Sequence, residues 1–192
     1  TVLAPEDQLR KPGSCGVPAP GVSIKIFDDD GKEISEPDIP GELYAKSGAV
    51  FDTYYKSHDP YLEDHRDGYQ TVGDIAYIDD EGYYFICDRK KDMIITGGVN
   101  VYPAEIENVL DDHPQVAEVA VFGIPDDEWG EAVCAVIVCM DNLNGKELIN
   151  FAKERLSGPK VPKKVFIRSN LPKTGSGKVL KRELKQWVQE TS

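Results

Sequence analysis

With 192 residues, a net charge of −12, 40% hydrophobic and 29% charged residues, the chain has the make-up of a globular protein, one large domain or two small ones. That acidity argues against general nucleic-acid binding, and no run approaches the roughly 18 apolar residues of a membrane span. The four cysteines, Cys15, Cys87, Cys134 and Cys139, contain no CxxC pair and are accompanied by three histidines; they read as small buried thiols in a reducing compartment, not as a zinc site or a disulfide framework.

The opening stretch, TVLAPEDQLRKPGS, has the features of neither a signal peptide nor a transit peptide. It has no initiating methionine and begins in loop-like sequence, so a piece of a longer chain is expected. Short β segments follow. VSIKIF (Val22 to Phe27) alternates apolar and polar residues and turns at DDDG. GELYAKS comes after the turn-rich SEPDIPG, and a polar, aromatic loop is expected from Phe51 to Gly68. YQTVGDIAYIDDEGYYFICD reads as two strands joined at DDEG. Together these predict a small antiparallel sheet or barrel.

The charged cluster DRKKD (Asp88 to Asp92) marks a boundary, after which the period changes. PAEIENVLDDHP places Ile106, Val109 and Leu110 at helical spacing, with Pro103 acceptable in the first turn and Glu105 and Glu107 favourable near the N-terminus. VAEVAVFGI and AVCAVIVC are nearly continuous apolar runs, as in strands covered on both faces. Cys134 and Cys139, five apart, would then point to opposite faces. KELINFAKERL sets Leu148, Phe151, Ala152 and Leu156 on one face and stops at Gly158-Pro159. KVFIRS reads as a strand, and Leu180, Leu184, Trp187 and Val188 form the stripe of a last helix. The expected class is α+β: residues 1–90 a β-rich, barrel-like subdomain and residues 91–192 a compact α/β domain with its own core.

From Lys160 to Lys185 there are nine Lys/Arg and one acid, a basic lobe on an acidic protein. It suits a small phosphorylated ligand, and equally a solvated lysine-rich surface. Within it, LPKTGSGKVLKRELKQW resembles a phosphate loop, with Lys178 opening an amphipathic helix. The Walker spacing fails: five residues before Gly177 stands Pro172, which has no N–H, and Val179 replaces the hydroxyl that would hold Mg²⁺. A P-loop NTPase is therefore rejected. What remains is a glycine-hinged lysine able to place a point charge.

Three stretches in order, GYQTVGDIAYIDDEGYYFICDRKKDMIITGGVNVYPAEIE, HPQVAEVAVFGIPDDEWGEAVCAVIV and LPKTGSGKVLKREL, closely resemble the C-terminal part of the adenylate-forming superfamily: acyl-CoA synthetases, peptide-synthetase adenylation domains and luciferases. The resemblance extends upstream through GSCGVPAPGVSIKIFDDDGKEI and PGELYAKSGAVFDTYYKSHDP. It implies that residues 1–90 are the truncated β-rich end of a large N-terminal adenylation domain and residues 91–192 a small mobile lid. The implied reaction joins a carboxylate, a fatty acid on the likeness of DRKKDMIITGGVNVYPAEIE to fatty-acyl members, to the α-phosphate of ATP, and then passes the acyl group to coenzyme A. Mg²⁺ would be bound mainly by the absent domain, and no metal site is expected in this chain. A cytoplasmic location follows from the same resemblance.

Residue by residue, the resemblance assigns Asp74 to the ribose hydroxyls, which a carboxylate can accept in pairs. It assigns Arg89 to the nucleotide, Lys91 to the hinge, Gly98 to the tunnel for the thiol arm and Lys178 to adenylation, on a glycine stalk that lets it swing. Taken alone, Asp74 is a turn aspartate, Gly98 a turn glycine, and Arg89 and Lys178 surface charges. The residue before Gly73 is Val72, where the family often has a hydroxyl. The superfamily's phosphate-gripping loop and acyl pocket are not in these residues, so the chain by itself is expected to show no ATP–pyrophosphate exchange. Three other readings stay open: an adenylation domain loading a carrier protein, a luciferase-like oxygenase, and a non-catalytic interaction module of the same fold.

Overall fold

A computed structural model describes residues 1–49, 65–140 and 143–191. Most of the loop expected over Phe51 to Gly68 lies outside the described residues. Contacts divide the chain into two units, Thr1–Lys91 and Asp92–Ser192.

The first unit is a curled antiparallel sheet. Its strands are β1 (Val22–Phe27), β2 (Glu33–Ile34), β3 (Gly41–Ser47), β4 (His65–Arg66), β5 (Tyr69–Ile78) and β6 (Tyr84–Arg89). β3 lies between β1 and β5, and β5 carries both β4 and β6 on its other edge. The end of the expected loop is thus a strand: Asp67 and Gly68 both have positive φ, as a two-residue hairpin turn requires, and they pair β4 with β5. Ile26, Phe27, Tyr44, Ile75, Ala76 and Tyr84 are buried.

An electrostatic clasp ties the N-terminal segment to the β5–β6 turn. Lys11 Nζ lies 2.6 Å from both Asp79 and Glu81, Arg10 bridges Asp7 and Glu81, and the Tyr83 hydroxyl donates to Asp7 at 2.7 Å. Glycine is required at position 16, where an added Cβ would meet the Val2 carbonyl oxygen at 2.0 Å.

In the second unit β7 (Ile94–Thr96) and β8 (Val99–Val101) form a small hairpin. Helix α1 (Pro103–Asp111) follows, then the long antiparallel pair β9 (Val116–Asp126) and β10 (Gly130–Cys139). Helix α2 (Gly145–Lys153) crosses over to β11 (Lys164–Arg168), parallel to β10, and α3 (Lys181–Thr191) closes the chain. Asn144 starts α2 with a full capping box: its side chain accepts from the Glu147 N–H, and Glu147 reaches back to the Asn144 N–H.

The reading of β9 and β10 as strands covered on both faces holds. One face packs on α1 and α2 through Ile106, Leu110, Val121, Val133, Ile137, Leu148 and Ala152. The other packs on α3 through Phe122, Cys134, Val136, Leu184 and Val188. Cys134 belongs to the second cluster and Cys139 packs against the first, so the two thiols do face opposite ways. Each large side chain removed from water here contributes about 1.5–3 kcal/mol. Of the four cysteines, only Cys134 is fully buried; Cys15, Cys87 and Cys139 are half-buried. Burial pushes the Cys134 thiol up to about 12. The mixed fold, with three α-helices among the described residues, is the expected α+β class.

Candidate functional site

The pairing of β3 with β5 breaks at one place. Glu42 faces Ile75 and Tyr44 faces Thr71, so Val72, Gly73 and Asp74 stand opposite Leu43 alone. Such a bulge re-aims the side chains it carries. Gly73 has φ 77°, a left-handed conformation that favours glycine. Its N–H donates to Thr71 Oγ1 at 2.9 Å. The bulge thus folds the Thr71 hydroxyl back onto Gly73.

Asp74 is not a turn residue but part of β5, and Arg89 on β6 is its register partner. Arg89 Nε lies 2.8 Å from Asp74 Oδ1, and Arg89 Nη1 donates to the Val72 carbonyl at 3.2 Å. Glu42, Val72, Gly73, Arg89, Lys90 and Lys91 line a cavity of about 380 Å³ beside this pair. A carboxylate has about four lone-pair positions, so Asp74 keeps acceptor capacity beyond the Arg89 contact. Arg89 supplies a fixed cation next to it, which suits an anionic ligand with hydroxyl groups.

Three residues missed by sequence reasoning hold this place together. Glu42 Oε1 accepts from the Thr71 hydroxyl at 3.2 Å, and Glu42 Oε2 lies 2.8 Å from Lys90 Nζ. The hydrogen bond from Lys90 to Glu42 holds the ammonium above the ordinary lysine range. Glu42 is 29 residues from Thr71 and 48 from Lys90, separations at which no local pattern signals a contact. Lys91 follows in the exposed 3-10 turn Lys90–Asp92, the last residue of the first unit.

Gly98 and Lys178 belong to the second unit. Gly97 and Gly98 join β7 to β8 with φ of 58° and 77°. A Cβ on Gly97 would meet Trp129 Cε3 at 2.8 Å, whereas one on Gly98 would meet nothing within 4 Å. Crowding therefore constrains Gly97, and at Gly98 the backbone angle alone calls for glycine.

Lys178 does not open the last helix, which begins at Lys181. Its loop is crossed by hydrogen bonds. The Thr174 N–H donates to the Lys178 carbonyl at 2.8 Å, the Lys178 N–H donates to Thr174 Oγ1 at 3.1 Å, and the Leu180 N–H closes onto the Pro172 carbonyl at 2.8 Å. Lys178 thus sits on a hydrogen-bonded hairpin, exposed, and its reach comes from its own four-carbon side chain. Much of the surrounding basic lobe is already compensated: Lys160 pairs with Glu105, Lys173 with Glu118 and Lys181 with Glu107. The acidic trio Asp79, Asp80 and Glu81 is close-set, and Asp79 and Glu81 are engaged by the clasp cations. Among the described residues no helix is long and apolar enough to cross a membrane.

Residues 1–55 match the family model of the AMP-binding enzymes, and residues 105–178 that of the AMP-binding enzyme C-terminal domain, together more than half of the chain. The chain belongs to the adenylate-forming superfamily, as its C-terminal portion. Lys178 is the last residue of the second match, while Asp74, Arg89, Lys91 and Gly98 lie between the two matched stretches. Among adenylate-forming relatives, a long-chain-fatty-acid–CoA ligase of Escherichia coli O157:H7 is 45% identical over 174 residues, 90% of this chain and 31% of that protein. A 2-succinylbenzoate–CoA ligase of Bacillus cereus (strain ZK / E33L) is 39% identical over 188 residues, 98% of this chain and 39% of that protein. The solved o-succinylbenzoate CoA synthetase of Bacillus subtilis, in complex with its acyl-adenylate intermediate, superposes with a TM-score of 0.88 at 39% identity, over 95% of this chain and 37% of that one. The chain thus spans between about a third and two fifths of the length of these relatives.

Proposed function

We propose that this chain serves an AMP-forming acid–thiol ligase: a carboxylate attacks the α-phosphate of ATP, releasing pyrophosphate, and the acyl-AMP then gives its acyl group to the thiol of coenzyme A with loss of AMP and a proton. The observation that carries the reading is the pairing of Asp74 with Arg89, which lines a cavity, in a chain similar to CoA ligases. Asp74 would accept the ribose hydroxyls, and Arg89 would hold Asp74 in place while facing the phosphate side. Lys91 would be the pivot between the units, Gly98 would border the path of the thiol arm, and Lys178 would bridge the carboxylate and the α-phosphate as charge builds in the transition state.

A fatty acid is the narrower proposal for the carboxylate; it is supported by the 45% identity to a long-chain-fatty-acid–CoA ligase. Mg²⁺, which would neutralise phosphate charge, is assigned mainly to the rest of the adenylation domain, as the family resemblance implies. A cytoplasmic location goes with the reading, because free coenzyme A thiol persists in a reducing compartment.

The test is Lys178→Ala in the intact protein. Loss of ATP–pyrophosphate exchange by about a hundredfold or more, with thioester formation from supplied acyl-AMP retained, is the expected result. Equal loss in both half-reactions would overturn the role of Lys178. A panel of straight-chain and aromatic acids in the same exchange assay tests the substrate class.

A further inference from the structure

We infer that Glu42 is a positioning residue for the nucleotide site, acting through Thr71 to hold the bulge that presents Asp74; the inference rests on the proposed ribose role of Asp74. The chain of contacts is short and closed. Lys90 Nζ lies 2.8 Å from Glu42 Oε2, the Thr71 hydroxyl donates to Glu42 Oε1 at 3.2 Å, and Thr71 Oγ1 in turn accepts the Gly73 N–H at 2.9 Å. Gly73 is the residue directly before Asp74. The Thr71 hydroxyl has one proton, and Glu42 fixes where that proton points. With its proton committed to Glu42, Thr71 Oγ1 presents a lone pair to the Gly73 N–H, and the bulge is held in one conformation. Arg89 pins the other side of the same bulge through the Val72 carbonyl.

Glu42 is suited to this by its surroundings. Its side chain is only 14% exposed, against 46% for Lys90. A carboxylate so placed is shielded: its Oε1 accepts from the Thr71 hydroxyl, and its Oε2 accepts from Lys90 and, at 3.5 Å, from the Tyr44 hydroxyl. Both of its oxygens already have donors from the protein, whereas Asp74 is contacted at Oδ1 by Arg89, which marks Glu42 as a group that acts through another. The same carboxylate also reaches Lys90, the residue before the proposed pivot Lys91. It therefore joins the ribose site to the end of the first unit.

The test compares binding of AMP and 2′,3′-dideoxy-AMP to the intact protein and to Asp74→Ala, Thr71→Val, Thr71→Ser and Glu42→Gln. Glu42→Gln keeps the size of the side chain, so it remains informative where a larger change would disturb folding. Asp74→Ala is expected to abolish the preference for AMP. Thr71→Val and Glu42→Gln are each expected to lower that preference about tenfold while leaving dideoxy-AMP affinity in place, and Thr71→Ser is expected to retain it. The inference is overturned if the preference survives in either Thr71→Val or Glu42→Gln while Asp74→Ala removes it; the ribose reading would then stand. It is also overturned if both ligands weaken equally, which is a structural role only. If Asp74→Ala itself leaves the preference intact, the ribose reading fails and the inference falls with it.

Discussion

Asp74 on β5 and Arg89 on β6 are partners in register, with Nε 2.8 Å from Oδ1, and the same guanidinium also holds the Val72 carbonyl. Fifteen positions apart in the chain, they are joined by an antiparallel pairing that returns β6 alongside the bulge. Two residues that each read as a commonplace surface charge become one acceptor–cation unit.

Removal of Arg89 separates function from fold. The pair is partly solvated, Arg89 being 49% exposed, and such pairs contribute about 0–1 kcal/mol to stability. Arg89→Ala is expected to shift the melting temperature little and to weaken AMP binding about tenfold or more, because Asp74 loses its orientation as well as a cation. Calorimetric titration beside thermal melting checks this. A large stability loss with unchanged AMP affinity would assign the pair to the fold alone.

The two turn glycines should behave differently. Alanine at Gly98 has only the left-handed backbone to contend with, a cost of about 1–2 kcal/mol. Alanine at Gly97 must also displace the Trp129 ring and should be the more destabilising in urea unfolding. If Gly98 borders the path of the thiol arm, Gly98→Ala will slow thioester formation while leaving ATP–pyrophosphate exchange near its starting rate. Parallel loss of both half-reactions would reduce Gly98 to a turn residue.

The N-terminal clasp should be lost at low pH. Tyr83 and then Arg10 hold the Asp7 carboxyl below its ordinary value, and Lys11 and then Arg10 do the same for Glu81. Groups whose values fall on folding add stability above the unfolded carboxylate range, near pH 4, and lose it as pH drops through the folded values. Lys11 is shifted up, chiefly by its bond to Asp79, so its share is present below about pH 10 and lost as pH rises past its folded value. The protection of the amides of residues 2–17, taken as exchange relative to the unfolded chain at the same pH, is therefore expected to fall at both extremes and to be greatest between. A profile for Glu81→Gln with the same acid limb as the unaltered protein would remove Glu81 from the clasp.

Much of this architecture was legible in the order of residues. Long periodic runs such as β9, β10 and the stripe of Leu184 and Val188 reveal themselves, because burial of many side chains enforces one period. So does the opposition of Cys134 and Cys139, which follows from the strand repeat alone. The short strands β2, β4, β7 and β8, of two or three residues each, were not legible: such lengths hold too little periodicity and are stabilised by their partners. The hydrogen bonds that Thr174 makes across the loop of Lys178 were not legible either, because glycine content reports only permitted angles.

What the sequence by itself determined is the set of chemical groups and their family context: an aspartate after Val72-Gly73, an arginine after Asp88, a lysine in PKTGSGK. Tertiary structure alone decided that the Thr71 hydroxyl folds back onto Gly73, that Arg89 closes on Asp74, and that Glu42 ties both Thr71 and Lys90 into one network. The physical reason is that hydrogen bonds and ion pairs act over about 3 Å, and only strand register brings residues 15 to 48 positions apart to that distance.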